Sequence, residues 1–171
     1  MTNLACFGNS LIVAFLALIL GLIPYTIPFM NNYSIVIDTN IFISALLSQQ
    51  GTSYQLLMLA DQGRFEIALS VPLVIEYEDA ANRILHKTAL ETEDLKDIID
   101  YLCTIANRQS IYYLWRPFLR DPQDDMVLEL AVAAQCEFII SFNQRDFIGV
   151  EEFGITVVTP FQFLRLIGAL S

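Results

Sequence analysis

The sequence predicts an α/β protein built on a mostly parallel central sheet of four or five strands. Three observations predict it. Short continuous apolar runs, SIVID (34–38), FEIAL (65–69), EFIIS (137–141) and ITVV (155–158), read as strands buried on both faces. Stretches of helical length separate them, as right-handed βαβ crossovers require. The 171 residues, 55% hydrophobic and 16% charged, suffice for one packed core and exclude global disorder.

The elements follow in order. After SIVID, residues 40–48 and 53–62 read as helices, the second ending at Gly63. FEIAL leads into a helix over 71–86, with Ser70 placed to cap it and Pro72 in its first turn. Residues 93–107 form a further helix, capped by Thr88 or Thr92, and IYYLWRPF (111–118) fits either a strand or an extended loop. DPQDD opens a helix running to about Gln135, with Asp121 as N-cap and Pro122 at N1. Thr159-Pro160 opens a last helix running to about Leu170. There is no internal repeat and no low-complexity segment.

The first charged side chain is Asp38. The run from Leu11 to Met30 has about the 20 apolar residues that span a bilayer, with Pro24 and Pro28 set against its last turns. Two readings stay open: a membrane anchor, whose orientation no positive flank sets, and a dispensable extension from an upstream start, since Met30 lies just before SIVID. No Lys or Arg precedes the run, which argues against a signal peptide. The expected division is an apolar extension over 1–29 and a folded domain over 30–171.

Nineteen acidic and nine basic residues give a net charge of −10, which excludes a broad basic surface for duplex nucleic acid. Cys6, Cys103 and Cys136 are too few and too scattered for a disulfide framework or a zinc site. A single histidine, His86, gives a histidine-based triad little to build on.

Open parallel sheets place their sites beyond the carboxyl ends of the strands. Asp38 ends the first strand, and Asn143 and Asp146 follow EFIIS. Asp124 and Asp125 fall in the first turn of their helix, and Glu76 in the second turn of the helix after FEIAL. At about 100° per residue, Leu73, Tyr77, Ala80 and Ile84 form one apolar stripe. Glu76 lies at its rim, while Glu78 and Asp79 point away. Helix capping accounts for Asp121 and for Asp124, but a third acid at the same tip exceeds what capping asks. Like charges at one edge repel by about 4 kcal/mol per pair at 4 Å and an effective dielectric near 20. Divalent cations relieve that repulsion, and carboxylates with Asn select hard ions such as Mg²⁺ or Mn²⁺.

The run SIVIDTNIFISALL, the helix VIEYEDAANRIL, the segment RDPQDDMVLELAVAAQCEFIISFNQRDF and the closing VVTPFQFL resemble the PIN domain. More narrowly, they are similar to its toxin–antitoxin branch, the VapC-like ribonucleases. The resemblance covers about Tyr33 to Leu166 and implies a three-layer α/β/α fold. It implies catalytic, metal-holding acids at Asp38, Glu76, Asp125 and Asp146, with Asn40, Asp124, Ser141 and Asn143 in support. Relatives carry an acid at the place of Asn143 or at that of Asp146; here Asp146 supplies the charge. The implied activity is Mg²⁺- or Mn²⁺-dependent endoribonuclease cleavage of single-stranded RNA regions. The implied partners are the RNA substrate, a cognate antitoxin and a second copy of the chain. The implied location is the cytoplasm, or the membrane if residues 11–30 insert. Arg145 and Arg120 lead the candidates for phosphate contacts, followed by Arg116, Arg83 and Lys87. Tyr112, Tyr113 and Trp115 are expected in the core rather than against bases.

Other classes fit less well. A phosphotransferase with a strand-end Asp nucleophile asks for a second Asp two residues on, where Asn40 stands. A receiver domain asks for a Lys at a later strand end, and EFIIS and ITVV have none. A PIN-fold binding module without activity, attached to the membrane or not, draws its support from Asn143.

Overall fold

A computed structural model describes residues 33–114 and 116–170. The apolar extension expected over 1–29, with its anchor reading, lies outside the described residues, as does Trp115. Among the described residues no helix is long and apolar enough to cross a membrane.

The chain runs β1 (Tyr33–Ile37), α1 (Thr39–Leu47), α2 (Thr52–Met58), β2 (Phe65–Ser70), α3 (Val71–Ile84), α4 (Thr92–Ile105), β3 (Asn107–Gln109), α5 (Asp125–Ala133), β4 (Phe138–Ile140), β5 (Thr156–Val158) and α6 (Pro160–Leu166). The five strands form one parallel sheet in the order β3-β2-β1-β4-β5, flanked by helices in a three-layer α/β/α arrangement. β1 is central. Ile35 pairs with Ile67 on one side and Phe138 on the other. Ile35, Val36 and Ile37 are all buried, which is why this strand reads as a continuous apolar run. The core continues through Ile41, Phe42, Leu73, Leu128, Ile139 and Phe163. Tyr33, Phe65 and Phe138 set their rings edge-on to Phe163 at 5.3–6.2 Å.

Several boundaries differ from the sequence expectation. β3 is a three-residue polar strand, NRQ, at the sheet edge, and 111–114 and 116–118 belong to no strand. The helix expected to open at Asp121 opens at Asp125. Asp121 instead builds a turn, its Oδ1 accepting the Gln123 N–H at 3.0 Å. α2 stops at Met58, short of Gly63, and α3 stops at Ile84 with a 3-10 turn over Leu85–Lys87. The α4 cap is Glu91, in a capping box with Asp94, rather than Thr88 or Thr92. Ser70 holds the N-cap position of α3, but its hydroxyl is buried without a hydrogen-bond partner among the described residues. Thr159 caps α6 as expected, accepting from the Gln162 N–H at 3.3 Å.

Candidate active site

β1 delivers Asp38 to the carboxyl edge of the sheet, where it ends the strand and precedes α1. The side chain is buried at 6% exposure. Its Oδ2 accepts from Asn40 Nδ2 and from Ser141 Oγ, each at 2.6 Å. Ser141, at the end of β4, also accepts from the Asn143 backbone N–H at 2.9 Å. Asn40 Oδ1 accepts from the Phe142 N–H at 3.4 Å. The expected supporting residues Asn40, Ser141 and Asn143 thus form one network that fixes the Asp38 carboxylate between two strands. Burial raises the Asp38 pKa, the Ser141 hydroxyl opposes the rise, and the charge of Asp146 adds to it.

Asp124 is the N-cap residue of α5 and is partly buried. Its pKa is pushed up to about 6, first by burial and then by the charges of Asp38, Asp121, Asp146 and Asp125. Asp38, Asp124 and Asp146 therefore share one repulsive field. Asp146 sits partly buried in a 3-10 turn over Gln144–Phe147, just beyond β4.

Asp125 behaves differently. The sequence expectation gives it the third acidic position, with Asp124 as helper. In the structure its carboxylate is fully buried and bonded to backbone: Oδ1 accepts from the Leu119 N–H at 2.8 Å and from the Phe118 N–H at 3.3 Å. It anchors the segment before the helix, and its charge is among those that raise the Asp124 pKa.

Glu76 is partly buried in the second turn of α3, while Glu78 and Asp79 are exposed, as the helical phase predicts. Its Oε1 lies 3.5 Å from Arg83 Nη2. The next residue, Tyr77, is buried and donates its hydroxyl to the Ile37 carbonyl, which ties this turn of α3 to the end of β1. Burial, then the charge of Asp38, holds the Tyr77 hydroxyl well above its ordinary pKa. Tyr77 and Phe42 stack at 4.6 Å.

Among the described residues no three acidic, histidine or cysteine side chains converge closely enough to enclose an ion. The donor set nevertheless fits a hard divalent cation in chemistry. It consists of carboxylates whose mutual charge raises a pKa, so a cation is the natural counter-charge. The site is an open edge. A cavity of about 430 Å³ between α1, α2 and α4 contains none of these residues.

Two contributors escaped the sequence reading. Tyr77 was legible only as a core residue. Glu129 is buried, and its carboxylate receives Arg116 through two bonds of 3.1–3.2 Å. An acid in the apolar body of the helix, four residues after Asp125, was the available signal. Arg116 is thereby an ion-paired residue, while Arg120 and Arg145 are exposed.

No curated protein matches the sequence. The chain resembles the crystal structure of VapBC2 from Rickettsia felis bound to a DNA fragment from their promoter. That likeness has 13% identity and a TM-score of 0.49, over 74% of this chain and 98% of the other, too low to carry over what that complex binds. The PIN domain family matches residues 34–145, a span that runs from β1 through Asp38, Glu76, Asp124 and Ser141. With that span and the five-stranded parallel sheet that carries it, the chain belongs to the PIN domain family.

Proposed function

We propose that residues 30–171 form a divalent-metal-dependent endoribonuclease that hydrolyses phosphodiester bonds in single-stranded RNA. The observation that carries this reading is the shared field of Asp38, Asp124 and Asp146 at the carboxyl edge of a PIN-family sheet. Asp38, Asp146 and Glu76, with Asp125 or its neighbour Asp124 in the third acidic position, would hold Mg²⁺ or Mn²⁺. When bound, the ion lowers the pKa of a water and offsets charge on the scissile phosphate. The chain's own part is positional. Asn40 and Ser141 hold the Asp38 carboxylate in one orientation, Tyr77 sets the height of Glu76, and Asp125 fixes the segment that leads to Asp124. No covalent enzyme intermediate is required. Within this reading the protein is the toxin of a toxin–antitoxin pair, with an antitoxin and a second copy as partners, acting in the cytoplasm or at a membrane if residues 11–30 insert.

A fluorogenic single-stranded RNA tests it. The full chain should cleave with Mn²⁺, stop with EDTA and fail as Asp38→Asn. Cleavage that survives EDTA or the substitution would place the chemistry elsewhere. A second reading, a PIN-fold module that binds without cleaving, draws on Asn143 and on the open spacing of the acids. RNA binding with no cleavage in either Mg²⁺ or Mn²⁺ would favour it.

A further inference from the structure

The charges and aromatic rings of one segment are distributed unlike those of the rest of the chain. Residues 107–120 contain three arginines and no acid, a net +3 within a protein of net −10. The remainder therefore carries −13. This segment begins at the edge strand β3, where Gln109 pairs with Ser70. The β1–β2 register sets Ser70 level with Asp38, so the segment starts two strand spacings, about 10 Å, from the site. It ends where Asp125 holds Phe118 and Leu119, one residue from Asp124. It thus borders the acidic edge at both of its ends.

Tyr112 and Tyr113 lie in this segment and are 86% and 80% exposed, contrary to the expectation that they pack in the core. Between them and α5 runs a cleft of about 310 Å³, walled also by Ser110, Val132 and Glu129. Glu129 grips Arg116 through two bonds and Asp125 grips the backbone after it, so the segment is held from two successive turns of α5. Arg108 and Arg120 are exposed and make no ion pair among the described residues. Exposed rings on an anchored, positively charged support are what unpaired bases stack on, and duplex RNA offers no such faces.

We propose that residues 107–114 and 116–120 are a strap that binds the single-stranded RNA flanking the cleavage point, Tyr112 and Tyr113 stacking on bases and Arg108 and Arg120 meeting phosphates. This rests on the ribonuclease reading. It also reconciles an acidic protein with a polyanionic substrate, since attraction is concentrated beside the site and absent elsewhere.

The test separates binding from cleavage. In the full chain carrying Asp38→Asn, binding of a fluorescein-labelled oligouridylate is followed by anisotropy. Tyr112→Ala with Tyr113→Ala should weaken it at least about tenfold. Arg108→Gln should lower the slope of log affinity against log salt by about 0.7. In the chain that keeps Asp38, the tyrosine pair should leave Mn²⁺-dependent hydrolysis of bis(4-nitrophenyl) phosphate, which has no base to stack, within about twofold. Unchanged RNA affinity in the tyrosine variant overturns the proposal. So does a changed sedimentation behaviour with RNA affinity intact, which would make the patch a protein interface. Failure of the wild type on bis(4-nitrophenyl) phosphate and RNA alike would count against the nuclease reading, while the anisotropy comparison would still decide the strap.

Discussion

The hydroxyl of Tyr77 donates to the carbonyl of Ile37, the residue immediately before Asp38. One bond between a helix side chain and a strand end therefore sets where the second turn of α3 stands against the carboxyl edge. Glu76 precedes Tyr77 and shares that placement. Glu78 and Asp79, on the same turn of sequence, face water.

Glu76→Gln should lower metal-dependent RNA cleavage by at least about a hundredfold, near 2.7 kcal/mol of transition-state stabilisation. Glu78→Gln and Asp79→Asn should each cost less than about threefold. Initial rates with Mn²⁺, with circular dichroism as the folding control, check all three. A dead Glu78→Gln beside an active Glu76→Gln would contradict the helical phase.

Asp124 and Asp125 should part company on substitution. Asp125→Ala strands the buried Leu119 N–H and should cost about 1–3 kcal/mol of stability in urea unfolding. Asp124→Ala should raise the urea midpoint in EDTA at neutral pH, by removing a carboxylate whose ionisation opposes folding, and should abolish cleavage. The reverse pattern would return the third acidic position to Asp125.

Metal should stabilise the fold through the same edge. A ligand of the native state at a hundred times its Kd contributes about 2.7 kcal/mol. Millimolar Mn²⁺ should raise the Tm of the wild type and raise that of Asp38→Asn less. Equal increments in thermal melts would mean that the ion binds elsewhere.

In EDTA the stability should fall as pH rises through the range in which Asp124 titrates. Its pKa is about 6 in the folded protein against 3.8 ordinarily, so between those values the folded state keeps a proton that the unfolded chain has released. The associated stability is full below about pH 3.8 and is lost as pH passes 6, and the raised Asp38 acts in the same direction. Asp124→Asn should flatten the dependence, measured by thermal melts across the window. An identical slope in wild type and variant would show that the repulsion lies elsewhere.

Much of this was legible because burial on both faces writes a continuous apolar run. β1, β2, β4 and β5 all fall within SIVID, FEIAL, EFIIS and ITVV or within a residue of them. β3 was not legible, since an edge strand of Asn, Arg and Gln, with Asn107 and Arg108 both exposed, needs no apolar residue. The start of α5 was misplaced because Asp-Pro suits a turn as well as a helix entry, and only the Gln123 bond to Asp121 decides between them. The phase of Glu76 was legible from the apolar stripe around it. The different surroundings of Asp124 and Asp125 were not, because adjacent residues share a charge and differ only in what the preceding backbone offers them.

The position of β1 has a consequence for synthesis on the ribosome. Its two borders are closed by β2, whose partner residues emerge soon after it, and by β4, which follows about a hundred residues later. Until Ile140 and Ser141 leave the exit tunnel, Asp38 lacks both the strand beside it and the hydroxyl that holds its carboxylate. A nascent chain, or one terminated before β4, therefore carries Asp38 and Glu76 without the assembled edge.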